Sequence, residues 1–301
     1  MKDKPFFSIV IPTYNRAAIL KNTLTTISNQ TFTDFEIIVV DDGSNDNTQS
    51  VLYALANIDP RIKTIRQENK ERGAARNNGF QKAVGEYVVF FDSDDIMHIN
   101  HLDTLHKNIL KENYPLFIAT KFDFINESGK HRSSDINLLN SGYYDYQLFL
   151  NGNPLACNAC VKKDNPTLHP FEENRKYSIK EDWMFLIQNL KSHQLYIIDS
   201  VTISMFDHQN RSMRSDNNLI IERTILALDW IMEKLILTAN EKRILTAHVN
   251  YFCAIHSYLD DKRKKGIRFI LSAIKNGGIK LKYISLFAKL IVGRKLIQRN
   301  K

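Results

Sequence analysis

Three cysteines among 301 residues are too few, and odd in number, for a disulfide framework. Nowhere do 18 apolar residues run together, so no membrane-spanning helix is expected. Between Met1-Lys2-Asp3-Lys4-Pro5 and Pro12 stand only six apolar or small residues. That is too short for a secretory signal, and the expectation is a chain that stays in the cytosol. There is no Walker Gly-Lys-Ser/Thr motif, which counts against a P-loop enzyme. Internal repeats and low-complexity stretches are absent. Most telling is the lack of acid at one end: residues 262–301 hold 13 Lys or Arg and no Asp or Glu. The preceding residues hold 28 basic and 33 acidic groups, so a mildly acidic body precedes a strongly basic tail, for a net charge of +8. Such a tail suits an anionic partner: a membrane surface, an anionic polymer or nucleic acid. No nucleic-acid motif with interleaved aromatics accompanies it, so nucleic acid is not expected.

What is present is ordinary for a globular protein, 43% hydrophobic and 25% charged residues. The length fits one large domain or a domain with an appendage. Residues 6–11 and 35–40, 62–65 and 87–91 read as strands, separated by helical periodicity at 19–27, 48–57 and 73–84. Alternation with short connections predicts a parallel sheet covered by helices. A helix is expected over 99–111, a fifth strand at 116–120 and a hairpin turn at 126–129. Beyond lie a short helix at 142–150, a loop at 167–177, a helix from 180 to about 190 and a strand at 195–205. Residues 207–214 read as a polar loop, and from 217 onward the pattern is helical in three or four segments.

The chain is organised around residues 87–95, where five β-branched and aromatic residues run into Asp92, Ser93, Asp94 and Asp95. Unpaired carboxylates are too costly to bury inside such a strand. The cluster therefore belongs at its C-terminal end, where open α/β sheets bind ligands. At extended spacing Asp92 and Asp94 point to one side and Asp95 to the other. Two carboxylates so spaced suit a divalent cation with positions left for a diphosphate. Polar residues also close the strands ending at Pro12–Arg16 and at Asp41–Asp46, and in a parallel sheet these ends share an edge. With Asn69 and Arg76 beside it, this is a nucleotide site in outline.

On these residues the sequence resembles the family 2 inverting glycosyltransferases of GT-A fold, over about residues 6–215. The likeness rests on Ser8-Ile9-Val10-Ile11-Pro12-Thr13-Tyr14-Asn15-Arg16, on Asp41-Asp42-Gly43-Ser44, and on Arg72-Gly73-Ala74-Ala75-Arg76-Asn77-Asn78-Gly79. Gly85-Glu86-Tyr87, the run Phe91-Asp92-Ser93-Asp94-Asp95 and Glu181-Asp182 complete it in the family's order. The resemblance implies a GT-A, Rossmann-like, mostly parallel mixed sheet flanked by helices over 1–215. Residues 1–120 would form the nucleotide-sugar half and 121–215 the acceptor side, with a basic helical region at 216–301. It implies that Pro12 and Thr13 contact a uracil, with Tyr14 near it, and that Asp42 bonds the uracil N3. Asn69 and Arg76 would line the nucleotide and sugar pocket. Asp92 would touch ribose or donor sugar, with Ser93 beside it, and Asp94 would bind Mn²⁺ or Mg²⁺ on the diphosphate. Asp182 would be the general base. The 207–212 loop would close over the donor, with His208 as a metal or phosphate contact and Arg211 and Ser212 on the pyrophosphate.

The implied reaction is metal-dependent transfer from a UDP-sugar, with inversion, to a hydroxyl of a cell-surface glycan at the inner membrane face. The processive members' Gln-x-x-Arg-Trp motif and membrane helices are missing, so one transfer per encounter is expected. A metal-dependent nucleotidyl- or phosphotransferase is the alternative enzyme. A nucleic-acid-binding protein using the basic C-terminal helices is the non-enzymatic one.

Other features stay structural in expectation. Cys157 and Cys160, with only Cys253 elsewhere, lack the fourth ligand of a zinc site and read as reduced thiols lining the acceptor side. His98 and His101 read as a solvated helix face. Trp183 could stack on a sugar or pack in the core. The tail could lie on an anionic bilayer, bind a polyanionic acceptor, pack with a solvated face, or assemble the chain into an oligomer.

Overall fold

The computed structural model describes residues 4–207 and 216–294. They divide into two compact units, the first of residues 4–145, 154–175 and 189–207, the second of 146–153, 176–188 and 216–294. The second unit thus takes in two stretches that the sequence pattern places with residues 1–215.

The first unit begins as alternating strands and helices: β1 (Phe7–Thr13), α1 (Ala17–Ser28), β2 (Phe35–Asp41), α2 (Thr48–Ile58), β3 (Ile62–Arg66), α3 (Glu71–Lys82) and β4 (Tyr87–Phe90). Every residue of β1, β2 and β4 is buried, the pattern of strands covered on both faces. These strands pair in parallel in the order β3-β2-β1-β4. Gly79 lets α3 lie against the sheet; a Cβ there would sit 2.4 Å from Val10 Cγ1. Glu36, an acidic side chain in the buried body of β2, accepts from Ser8 Oγ at 2.5 Å, Lys63 Nζ at 2.7 Å and Val84 N at 2.9 Å. Burial alone would raise its carboxyl, but these bonds outweigh it and hold the group below its ordinary value.

The rest of the sheet is mixed. It adds β5 (Ile96–Met97), then α4 (His101–Lys111), β6 (Phe117–Asn126), β7 (His131–Ser133), β8 (Gly142–Tyr144), β9 (Cys160–Lys162) and β10 (Leu195–Asp207). β9 runs antiparallel between β4 and β6, and β10 lies parallel to β6. The expected turn at 126–129 links β6 to β7 as an antiparallel pair. Three expectations are corrected. Residues 142–150 are not a helix: Gly142–Tyr144 pairs antiparallel with β10, and a 3-10 turn follows at Tyr146–Asn151. Two aromatics facing a strand edge pack better as a strand, with Tyr143 against Tyr196 at 5.0 Å. Cys160 does not line an acceptor side but sits buried inside the sheet, where burial pushes its thiol well up. His98 and His101 are not a solvated helix face: the partly buried His98 precedes α4, its Nε2 2.9 Å from Ser204 Oγ, and the buried His101 Nδ1 lies 2.7 Å from Thr202 Oγ1.

The second unit holds α5 (Glu181–Asn189) as far as residue 188, then α6 (Asn217–Lys234), α7 (Ala239–Leu259), α8 (Arg263–Gly277) and α9 (Leu281–Val292). Thr238 and Glu241 form a reciprocal capping box that starts α7, and Asp216 caps α6. Gly278, at φ +73°, ends α8 in a conformation that favours glycine. Ala254, Ile270, Ala273, Tyr283, Leu286 and Leu290 make a core shared by α7, α8 and α9. Among the described residues no helix is long and apolar enough to cross a membrane.

Burial, reinforced by His98, pushes the His101 imidazole down to about 3; burial, with help from Lys180, does the same to His248 and His256, each to about 4. Below pH 6.5 the unfolded chain binds protons that these folded sites refuse, so stability falls as pH drops from 6.5 toward 4. Calorimetry is expected to show the melting temperature declining between about pH 7 and 5, with a shallower decline in His101→Asn. Parallel declines in the two proteins would exclude His101 as a source.

Candidate functional site

The parallel pairing decides which side chains meet. Thr13 at the end of β1 stands opposite Asp41 at the end of β2, which stands opposite Arg66 at the end of β3. Asp41 Oδ1 accepts from Ser44 N at 2.9 Å and Oδ2 from Arg66 Nη1 at 2.9 Å, which closes the turn after β2. Asp42 is buried; its N donates to Thr13 O, and its Oδ1 accepts from Gln67 Nε2 at 2.8 Å and Lys70 N at 2.9 Å. The turn after β1 is tied to the one after β2, Asn15 N donating to Ser44 Oγ and Asn45 N to Asn15 Oδ1. Pro12 is buried and Tyr14 exposed at this end. The buried Thr13 hydroxyl finds no hydrogen-bond partner among the described residues. Asn69 follows β3, its O and Oδ1 both accepting from Arg175 Nη2.

Beyond β4 the chain does not stay extended. β4 stops at Phe90, and Asp95 N comes back to 3.5 Å from Asp92 O. Asp92, Asp94 and Asp95 therefore each offer an oxygen within 4.8 Å of the others, where strand alternation predicted Asp95 on the opposite side. The buried Arg76 guanidinium of α3 pairs with Asp92 Oδ1 at 2.8 Å and lies 5.4 Å from the Phe171 ring centre. Arg16 Nη2 lies 3.3 Å from Asp94 Oδ2. Asp95 is buried, and its Oδ1 accepts from Phe206 N of β10 at 3.1 Å. Thr23 Oγ1 donates to both Ser93 O and Asp95 O, which fixes the turn, and Ser93 is buried within it.

The three carboxylates offer hard oxygens, two of them on partly exposed residues. That donor set fits Mg²⁺ or Mn²⁺.

Asp182 lies in the second unit, in the first turn of α5. Its Oδ2 accepts from Asn153 Nδ2 at 3.0 Å and its Oδ1 from Trp183 N at 2.7 Å. Trp183 itself is a core residue: its buried indole donates to Phe149 O at 2.8 Å and packs edge-on to His248, so it offers no face to a sugar. His208, Arg211 and Ser212 lie outside the described residues; Asp207, expected in the same loop, is the last residue of β10.

Arg16, Asp95 and Asn153 carried no role in the sequence reading. Arg16 and Asp95 lie inside the motifs that carry the resemblance, and only the folded turns show what they touch. Nothing local marks Asn153, which is 29 residues from its partner.

Known proteins bear on this geometry. The family model described as Glycosyl transferase family 2 matches residues 8–162. An uncharacterized glycosyltransferase of Haemophilus influenzae is 30% identical over 205 residues, 67% of this chain and 78% of that one. A GalNAc(5)-diNAcBac-PP-undecaprenol beta-1,3-glucosyltransferase of Campylobacter jejuni is 43% identical over 103 residues, 34% of this chain and 33% of that one. The chain spans only 20–23% of the length of three Rickettsia relatives that it matches. Among solved structures, residues 1–349 of S. aureus TarS, in complex with UDP-GlcNAc, superpose with a TM-score of 0.68 at 18% identity. That likeness covers 98% of this chain and 92% of the other, and it shows a shared GT-A fold.

Gly43 is the tightest point of the strand-end edge. Its φ is +78°, and a Cβ would meet Asn69 N at 2.9 Å and Gln67 O at 3.2 Å. Gly43→Ala is expected to destabilise by roughly 1–3 kcal/mol, read as a lower melting temperature. An unchanged melting temperature would show that this turn bears no strain.

Proposed function

The chain belongs to glycosyl transferase family 2, and from that membership we propose that it transfers a sugar from a UDP-sugar to a hydroxyl of a cell-surface glycan, with inversion and one transfer per encounter. The acceptor class is capsule, teichoic acid, lipopolysaccharide or exopolysaccharide, glycosylated at the inner membrane face. The observation that carries the reading is the edge where Thr13, Asp42, Arg76 and the Asp92-Asp94-Asp95 cluster come together at the ends of parallel strands. UDP-GlcNAc bound to TarS supports the donor class, and the undecaprenol-linked substrate in the Campylobacter relative's name supports the acceptor class.

The roles are those that the family resemblance implies. Pro12, Thr13, Tyr14 and Asp42 bind the uracil end, the Thr13 hydroxyl, unpartnered among the described residues, being suited to a polar edge. Asn69, Arg76, Asp92 and Ser93 line the ribose and sugar. Asp92, Asp94 and Asp95 would hold the divalent cation, whose contribution when bound is Lewis-acid neutralisation of diphosphate charge. By resemblance alone, His208 is assigned to the metal or a phosphate, and Arg211 and Ser212 to the pyrophosphate. Asp182 accepts the proton of the acceptor hydroxyl as that oxygen bonds to the anomeric carbon. The bond from that carbon to UDP breaks on the opposite face, so the configuration inverts and no covalent nucleophile is needed. Asn153 and the Trp183 amide each hold one oxygen of Asp182, which fixes the carboxylate plane.

A thermal-shift panel of UDP-sugars with Mn²⁺ is expected to single out the donor, because ligand binding to the native state raises apparent stability. With donor and acceptor, UDP release is expected to stop in EDTA and return with Mn²⁺. Asp182→Asn is expected to lose about 10²–10⁴-fold in turnover while keeping its donor-induced shift. An active Asp182→Asn protein would remove the base. Release of pyrophosphate and a nucleoside monophosphate product would replace sugar transfer with nucleotidyl transfer.

A further inference from the structure

The basic tail is a folded part of the second unit, and its two last helices carry different surfaces. α8 buries Gly266, Ile270 and Ala273 and turns Lys264, Arg268, Leu271 and Lys275 outward, spaced by four, three and four residues. α9 buries Tyr283, Leu286 and Leu290. Its opposite side is also apolar: Leu281, Ile284, Ile291 and Val292, at spacings of three, seven and one, are all exposed. Ile279, just before the helix, is 82% exposed and Leu281 86%. Lys280, Lys282 and Lys289 are exposed beside this stripe. A helix that has already satisfied its core and still shows a second apolar stripe needs an explanation.

From this surface we infer that α9 lies on an anionic lipid bilayer, with Leu281, Ile284, Ile291 and Val292 in the headgroup–acyl boundary and the surrounding lysines and arginines on lipid phosphates. Both halves of the surface enter the choice. A run of 13 basic residues without one acid over 262–301 complements a negative surface. A hydrated polyanion would match that charge but would leave the apolar stripe in water; a bilayer boundary accepts both. At about 1.5 Å per residue the 12-residue α9 is too short to span a bilayer and long enough to lie along one. This inference goes beyond the proposed sugar transfer and does not rest on it, because none of these residues is placed in the transfer site.

The test is co-sedimentation of the full chain with vesicles, without donor or acceptor, so that a failure of the enzymatic reading leaves the result intact. Binding is expected to vesicles of phosphatidylglycerol and phosphatidylcholine, not to phosphatidylcholine alone, and to weaken in high salt. Replacing Lys264, Arg268 and Lys275 by Gln is expected to lower partitioning on the order of 100-fold. Ile284→Ser with Ile291→Ser keeps every charge and is expected to lose about tenfold or more. Leu281→Trp, which removes no apolar surface, is expected to show a blue-shifted emission on the anionic vesicles. Equal binding to phosphatidylcholine, no binding, or an unshifted Leu281→Trp would overturn the inference. Full binding by the Ile284→Ser, Ile291→Ser protein would overturn it in favour of a purely electrostatic, polymer-like partner. Self-association through α9 without vesicle binding would overturn it in favour of a second copy of the chain.

Discussion

A guanidinium that is only 1% exposed cannot stand alone in a protein interior, and Arg76 does not. It reaches Asp92 at the end of β4 and lies over the Phe171 ring. The next residue, Asn77, holds the backbone of the same Phe171 by two hydrogen bonds, Nδ2 to its O and Oδ1 from its N, each 2.9 Å. Two adjacent residues of one helix thus join the acidic turn to the 165–175 segment. Gly79, two residues on, lets that helix approach the sheet closely enough for the join to form. The acidic cluster is therefore held at Asp92 by a buried guanidinium. An acidic turn built on exposed loops would have no comparable restraint.

The amino-acid pattern made the first half of the sheet legible because each strand there is buried on both faces and each helix is short and bounded. Residues 6–11, 35–40 and 62–65 fall within a residue or two of β1, β2 and β3. What was lost is whatever depends on a turn or on a distant partner. Asp95 was assigned to the far side because alternation was carried one step too far, past Phe90. His98 and His101 have the spacing of a solvated face, yet β10 from a hundred residues away covers them. Gly142–Tyr144 is aromatic enough for either element, and only the free edge of β10 decides it. Asn153 and Asp182 belong to one unit through segments 146–153 and 176–188, whose membership has no compositional mark.

The two units divide the charge as well as the chain. The strand-end edge gathers carboxylates, which a cation and a diphosphate would use, while the helical unit ends in a tract with no acid at all. On the proposals made above, the opposite signs would serve different partners. A basic surface next to the cluster would compete for its oxygens, as Arg16 and Arg76 already do at close range.

The burial of Trp183 changes how the proposed base should be understood. Its indole serves the core, and its backbone N–H serves the neighbouring carboxylate, so the aromatic most often expected to hold a sugar instead holds Asp182 in place. The other oxygen is held from a separate segment by Asn153. A carboxylate fixed at both oxygens has little rotational freedom left. Its efficiency as a base then depends on where the acceptor hydroxyl is brought, not on a search by the side chain. That transfers the burden of specificity from the base to whatever binds the acceptor. A ring that the fold leaves open at the strand-end edge is Tyr14, 43% exposed beyond β1 and suited to stacking on a planar ligand.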